Sequence, residues 1–255
     1  MNPVELYKQL PKKNCGDCAQ KTCMAFAMAA LRGETDLSGC PHLDGEALQA
    51  LKGSLTTSDW REELAGKLRE EVRQVDFPRI AEGLGARLQG GSLVLTCLGR
   101  EFTVTADGVI VTKGPMTPWI KILLLHYIRT AGREKLSGKW VSYAELKSGM
   151  VKATSFAREC EEPLRELFDR DAEQAASALL RMGAEQRGDF PTSCAWRLLL
   201  LPKLPVMVLY WPPDEEFPSK LSILFDATAD RFLDAESLIF LLEGLVKNVE
   251  RNFIS

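Results

Sequence analysis

Asn14-Cys15-Gly16-Asp17-Cys18-Ala19-Gln20-Lys21-Thr22-Cys23, followed further on by Gly39-Cys40-Pro41, sets the beginning of this chain apart from the rest. Four of the seven cysteines fall between Cys15 and Cys40, while Cys97, Cys160 and Cys194 stand singly. The spacing is Cys-x2-Cys-x4-Cys-x16-Cys. A cubane cluster needs four thiolates converging from a tetrahedron of directions. Three can come from one tight loop and the fourth from a returning segment. Gly16 lets the loop curl, because its φ is unrestricted. A helix starting near Cys23 turns its positive end to the site. Met24, Phe26, Ala27 and Leu37 are apolar residues placed to shield it, and Pro41 stiffens the exit from Cys40. Shielding matters because solvent exposure and hydrogen bonding set a reduction potential.

Structural zinc is the alternative. Zinc sites use paired Cys-x2-Cys knuckles or histidines, and here there is one such pair and an unusual x4 gap. Two disulfides are a third reading, disfavoured where thiols stay reduced. The spacing therefore favours one [4Fe–4S] cluster, with Cys15, Cys18, Cys23 and Cys40 as its cofactor-binding, metal-ligating residues.

The chain has 255 residues, a formal net charge of -3, 45% hydrophobic and 26% charged residues. These are globular proportions. A slight acidic excess argues against a nucleic-acid partner, which would need Lys and Arg massed on one face. The apolar runs Ile120–Ile128 and Leu238–Val246 are too short to insert in a membrane and are interrupted by Lys121, His126 and Glu243. The first residues have no apolar h-region. The expected location is the cytoplasm, where clustered cysteines bind metal or do redox work.

The expected fold class is α+β: a small cysteine-rich [4Fe–4S] module, then a mixed domain with an antiparallel sheet. The boundaries read as 1–55 for the module, 56–75 for a helical linker and 76–255 for the larger domain. Val4–Leu10 forms a short helix stopped by Pro11. Cys23–Arg32 is helical by composition, ended by Gly33. Asp44–Leu51 makes a further helix and Gly53–Asp59 a polar connection. Trp60–Val75 has the helical period. Ser92–Leu98, Glu101–Thr105 and Val109–Thr112 read as a β-meander. Pro118–Thr130, Ser155–Phe168 and Ala172–Met182 read as helices. Arg197–Leu201, Val206–Trp211 and Ser222–Phe225 read as strands with proline-bearing turns. Ala235–Phe253 closes the chain as a helix capped by Asp234. Segregated strands and helices favour α+β over a doubly wound sheet.

Leu6-Tyr7-Lys8-Gln9-Leu10-Pro11-Lys12-Lys13-Asn14-Cys15-Gly16-Asp17-Cys18, with Cys23-Met24-Ala25-Phe26-Ala27 and Cys40-Pro41, resembles the N-terminal [4Fe–4S] domain of the large subunit of corrinoid iron–sulfur proteins. Similar domains occur in ion-pumping electron-transport complexes. The resemblance covers roughly the first 45 residues and implies the cluster-ligand role for the four cysteines. The remainder does not resemble the corrinoid protein's barrel, which would need alternating strands and helices over about 200 residues or more. Gly138-Lys139-Trp140-Val141-Ser142-Tyr143-Ala144-Glu145-Leu146, Asp214-Glu215-Glu216-Phe217-Pro218 and Leu224-Phe225-Asp226 look like an uncharacterised domain that anaerobes fuse to such a module.

The resemblance implies low-potential electron transfer in anaerobic metabolism, to a redox partner protein or to a corrinoid protein. The second reading is a cobalamin-binding carrier in methyl transfer or cobalt reduction, with the corrinoid held by the C-terminal domain. No Asp-x-His-x-x-Gly cobalt-ligating loop is present, so cobalamin would bind without a histidine. No catalytic residue is assigned, and an electron-transfer or carrier role is preferred to a stand-alone enzyme. Asp214-Glu215-Glu216 reads as a solvated turn, packed down by Phe217, in preference to a catalytic acid pair. Glu161-Glu162 and Asp169-Arg170-Asp171 read as surface charge at helix ends. His42 reads as exposed and His126 as a helix residue at the core's edge. Cys97, Cys160 and Cys194 read as small apolar residues.

Overall fold

The chain divides into two compact units, Met1–Glu63 and Leu64–Ser255, in a computed structural model that describes residues 3–18, 20–31, 35–55 and 60–253. The first unit contains α1 (Pro3–Gln9), α2 (Cys23–Leu31) and α3 (Gly45–Leu55). Leu6 and Leu10 pack with Phe26, Ala27, Leu37 and Leu51 in a core of their own. Gly53–Leu55 extend α3, so they are not part of a connection. The rest of that connection, and the helix stop at Gly33, lie outside the described residues. α4 (Trp60–Val72) comes next, and its Ala65, Leu68 and Val72 are buried in the core of the second unit.

The second unit is α+β, as its segregated pattern predicts. α5 (Phe77–Leu84) leads into an antiparallel meander of β1 (Arg87–Gln89), β2 (Ser92–Cys97), β3 (Arg100–Val104) and β4 (Ile110–Val111). Leu98 and Gly99 turn the chain between β2 and β3 with φ of 50° and 75°. That is the two-residue turn whose twist matches antiparallel strands. The Leu98 amide donates to Leu200 of the larger sheet at 2.9 Å. Then come α6 (Pro118–Arg129), β5 (Trp140–Ser142), α7 (Gly149–Phe156), α8 (Glu162–Arg170), α9 (Ala172–Arg181), β6 (Glu185–Arg187), β7 (Cys194–Leu201), β8 (Leu204–Trp211), β9 (Lys220–Asp226) and α10 (Ala235–Arg251).

The larger sheet runs β5-β9-β8-β7-β6, antiparallel throughout. β8 sits at its centre, and its uncharged sequence suits burial on both faces. Val206, Val208 and Tyr210 join the main core. Met207 and Leu209 pack on the other face with Ala195, Trp140 and Leu224. The Pro202-Lys203 turn joins β7 to β8. Among the described residues, no helix is long and apolar enough to cross a membrane.

Several elements differ from the sequence reading. α5 was not expected, although Asp76 caps it by accepting from the Arg79 amide and Gly85 ends it in the left-handed region. β1, β5 and β6 also went unread; each has three residues, too few to show alternation. The helix expected from Ser155 begins at Gly149 and continues through a π turn at Ala157–Glu161 into α8. That turn has two anchors. The Cys160 thiol donates to the Ile239 carbonyl at 3.7 Å, and Glu161 accepts from the Ile223 amide at 2.8 Å. Ile223 lies just beyond the last β5–β9 pair, Ser142–Leu224, so Glu161 supplies the acceptor that a longer β5 would have given.

α5 is held against the segment after α6 by backbone contact. A Cβ on Gly132 would lie 2.2 Å from the Gly83 carbonyl carbon, and Gly132 has φ of +56°. Tyr127 completes this junction. Its hydroxyl donates to the Leu84 carbonyl at 2.7 Å and accepts from the Lys203 amide at 3.0 Å. Burial pushes the phenol's pKa well up. Tyr127→Phe is expected to leave both groups without that partner and to cost about 1–3 kcal/mol. Urea unfolding followed by tryptophan fluorescence checks this; an unchanged midpoint would refute the bridging role.

Candidate metal centre

The loop between α1 and α2 is curled by positive φ at alternate residues, 57° at Lys12, 49° at Asn14 and 82° at Gly16. Left-handed backbone is costly for a residue with a Cβ, and Asn tolerates it better than most. Here the Asn14 side chain is used as well. Its Oδ1 accepts from the Cys23 amide at 2.8 Å, and its own amide donates to Cys23 Sγ at 3.4 Å. Thr22 Oγ1 accepts from the Ala25 amide at 3.1 Å at the start of α2. The loop is thereby tied to the first turn of the helix, and Cys23 is presented at the helix's positive end.

Cys40 returns from a short 3-10 turn, Leu37–Gly39, capped by Asp36. Cys15, Cys18, Cys23 and Cys40 line one pocket, together with Leu10 and Phe26. Cys23 and Cys40 are buried, Cys18 is half-buried and Cys15 is exposed. Phe26, Ala27 and Leu37 are buried beside this pocket in the same small core, and Met24 is half-buried. The sequence-predicted residues are thus brought together, although Cys40 is far from the others along the chain.

His42 and Asp17 stand at the exposed rim. Cys15 Sγ, an Asp17 carboxylate oxygen and a His42 ring nitrogen lie within 4.8 Å of one another. Such a mixed set could take zinc, but its histidine is already engaged. Lys13 Nζ lies 3.3 Å from His42 Nδ1, and His42 Nε2 lies 3.1 Å from Asp17 Oδ2. A lysine ammonium can only donate, so Nδ1 accepts and Nε2–H donates to Asp17. Hydrogen bonds from the Cys15 thiol, and next from His42, hold the Asp17 carboxyl below its ordinary pKa. Four sulfur donors on one pocket, with a backbone N–H on one sulfur, fit an iron–sulfur group. Lys13 and Asn14 as rim and strut were not singled out by sequence reasoning. The signal for Asn14 was a turn-forming residue directly before the first cysteine.

The remaining candidates are placed elsewhere. Cys97 and Cys160 are buried in the second unit's core; burial raises the Cys97 thiol to about 12 and the Cys160 thiol further. Cys194 is half-buried on β7. His126 is half-buried on α6, with Nδ1 3.7 Å from Asp234 and Nε2 2.8 Å from Arg129. Desolvation lowers its pKa, an effect Asp234 opposes. Asp214 holds its own turn by accepting from the Glu216 and Phe217 amides at 2.9 and 2.7 Å. Phe217 is 66% exposed and does not pack the turn down, contrary to the sequence reading. Asp169 is more than surface charge, since it accepts from Tyr210 Oη and Ser219 Oγ, both at 2.8 Å.

Residues 10–42 match a family described as "Putative Fe-S cluster". The chain is 52% identical over 48 residues to the corrinoid/iron-sulfur protein large subunit of Moorella thermoacetica, which is 19% of this chain and 11% of that protein. It is 42% identical over 52 residues to the acetyl-CoA decarbonylase/synthase complex subunit gamma of Methanothermobacter thermautotrophicus, covering 20% and 11%. It is 39% identical over 94 residues to subunit gamma 1 of that complex in Methanosarcina thermophila, covering 37% and 18%. The chain therefore spans less than a fifth of the length of these relatives. No solved structure matches it. Residues 76–248, more than half of the chain and nearly all of its second unit, match the family described as a domain of unknown function, DUF3786, and the chain belongs to that family.

Proposed function

We propose that Cys15, Cys18, Cys23 and Cys40 hold one [4Fe–4S] cluster, and that the chain transfers electrons at low potential in the cytoplasm of an anaerobe. The observation that carries this reading is the lining of one pocket by four cysteines drawn from a loop, a helix start and a returning turn. The bound cluster supplies one-electron storage. Asn14 steadies Cys23 by the paired contacts described above, and an N–H directed at a ligand sulfur favours added negative charge. Phe26 and Leu37 limit water on the buried side. Cys15, being exposed, marks the side where a partner can approach.

The partner is proposed to be a redox protein or a corrinoid protein, the latter supported by the printed names of the relatives that share the first unit. In this reading the chain serves a corrinoid centre by supplying electrons to it and is not itself a stand-alone enzyme. Protein purified without oxygen should contain four irons and four sulfides per chain. Stoichiometric zinc without sulfide would overturn the proposal. Titration with cobalamin separates the two roles. Retention of cobalamin through gel filtration would favour the carrier reading, in which the second unit holds the corrinoid; its absence favours a separate partner.

A further inference from the structure

The second unit contains a cleft of about 510 Å³ unrelated to the four cysteines. Its walls come from the β2–β3 turn, the first turn of α6, the end of α9 and one face of α10. α10 explains why a cleft forms there. Leu238, Leu241, Leu242, Leu245 and Val249 turn into the core. Phe240, Gly244, Lys247 and Arg251 lie three or four residues apart on another face and line the cleft. Gly244 leaves room for Leu98 from the turn, since a Cβ there would lie 2.9 Å from the Leu98 side chain.

Two features give this cleft a chemical preference. The first is a flat aromatic wall. Trp119 and Phe240 stack with ring centroids 3.9 Å apart and planes at 24°, and both are half-buried. The second is charge. Arg100, Arg181, Lys247 and Arg251 line the cleft against a single carboxylate, Glu243, in a chain whose net charge is -3. Glu243 is 3.8 Å from Lys247, which leaves the arginines in excess. Arg100 lies over the Phe102 ring at 4.6 Å, and Arg181 donates to the neutral Ser177 and Asn252 at 2.7 and 2.9 Å. Among the described residues neither guanidinium is paired with a carboxylate. Guanidinium groups of this kind suit carboxylate and phosphate oxygens.

We propose that this cleft binds a small anionic aromatic molecule, a flat ring system bearing a carboxylate or phosphate. The rings pack on Trp119 and Phe240, and the anion sits among Arg100, Arg181 and Lys247. The volume falls within the range of small-molecule sites, about 300–1,000 Å³. Cys97 at the cleft is not a nucleophile in this role, because burial keeps it as a thiol.

The test uses the full chain with its metal centre, titrated in a calorimeter with 1-naphthyl phosphate and with 1-naphthol as the neutral counterpart. The phosphate should bind one per chain with a Kd below about 1 mM. 1-Naphthol should bind at least tenfold more weakly, as a shift of about 1.4 kcal/mol or more. R100Q/K247Q, which alters side chains outside the buried core, should weaken the phosphate at least tenfold and leave thermal unfolding unchanged. Trp119→Leu should weaken both compounds. Absence of saturable binding, equal affinity for the two compounds, or an unchanged affinity in R100Q/K247Q would each overturn the proposal.

Discussion

Cys15→Ala is expected to abolish four-iron content while leaving the second unit folded. The side chain is exposed, so its removal leaves no cavity in a core. What it removes is one thiolate of the proposed four. Losing an outer-shell partner alone costs about 10–100-fold in metal affinity, and loss of a ligand should exceed that. Cys18→Ala, Cys23→Ala and Cys40→Ala should behave alike in iron content. Cys160→Ala provides the opposite control. It empties space in the core of the second unit and deletes the thiol contact to Ile239, so it should lower stability and leave iron untouched. Iron and sulfide analysis together with urea unfolding separates these outcomes. A full cubane in Cys15→Ala would remove Cys15 from the ligand set.

Asp226→Ala should produce the largest loss of stability among single substitutions in the second unit, about 3–4 kcal/mol. Asp226 is 2% exposed. Its carboxylate accepts from the amide and hydroxyl of Ser137 at 3.1 and 3.0 Å, the Gly138 amide at 2.7 Å, and the amide and hydroxyl of Thr228 at 3.0 and 2.6 Å. Alanine would strand several donors at once. Asp226→Asn should recover only part of the loss, because an amide nitrogen cannot accept from the remaining N–H groups. The pKa of Asp226 is lowered in the fold: burial opposes the charge, but the hydrogen bonds from Thr228, Ser137 and Gly138 outweigh it. The sign follows. The contribution is complete above the unfolded value near 3.9 and is lost as pH falls through the lower folded value. The gap between wild type and Asp226→Ala should therefore hold from neutral pH down to about 4 and narrow below it. A urea midpoint in Asp226→Ala equal to the wild type's would refute this account.

The same aspartate shows what could and could not be read beforehand. Gly138–Leu146 and Leu224–Asp226 are both noticeable stretches of sequence. That they meet, with Trp140 opposite Asp226 across β5 and β9, depends on pairing at long range, which no local pattern encodes. Local signals performed well where they were chemical. Asp234 caps α10 by accepting from the Ser237 amide, and the Leu-Gly turn closes the β2–β3 hairpin. The four cysteines could be grouped because their spacing carries the constraint of a shared centre. The cleft on α10 could not, since its cations come from four separate elements. α5 was missed although it has a cap, a proline and a terminal glycine, because it has only eight residues, too short for its apolar period to stand out.

The π turn at Ala157–Glu161 sets a phase. A π turn accommodates one residue more than an α-helix would over the same rise. Each residue of an α-helix advances the face by about 100°. Removing one residue from Ala157–Glu161 would leave a longer α-helix of ordinary geometry, but would turn everything after it by that angle. Leu164, Leu167 and Phe168 would swing away from the core, and Asp169 would leave Tyr210 and Ser219. The segment therefore counts residues: α8 packs correctly only while the extra one is present.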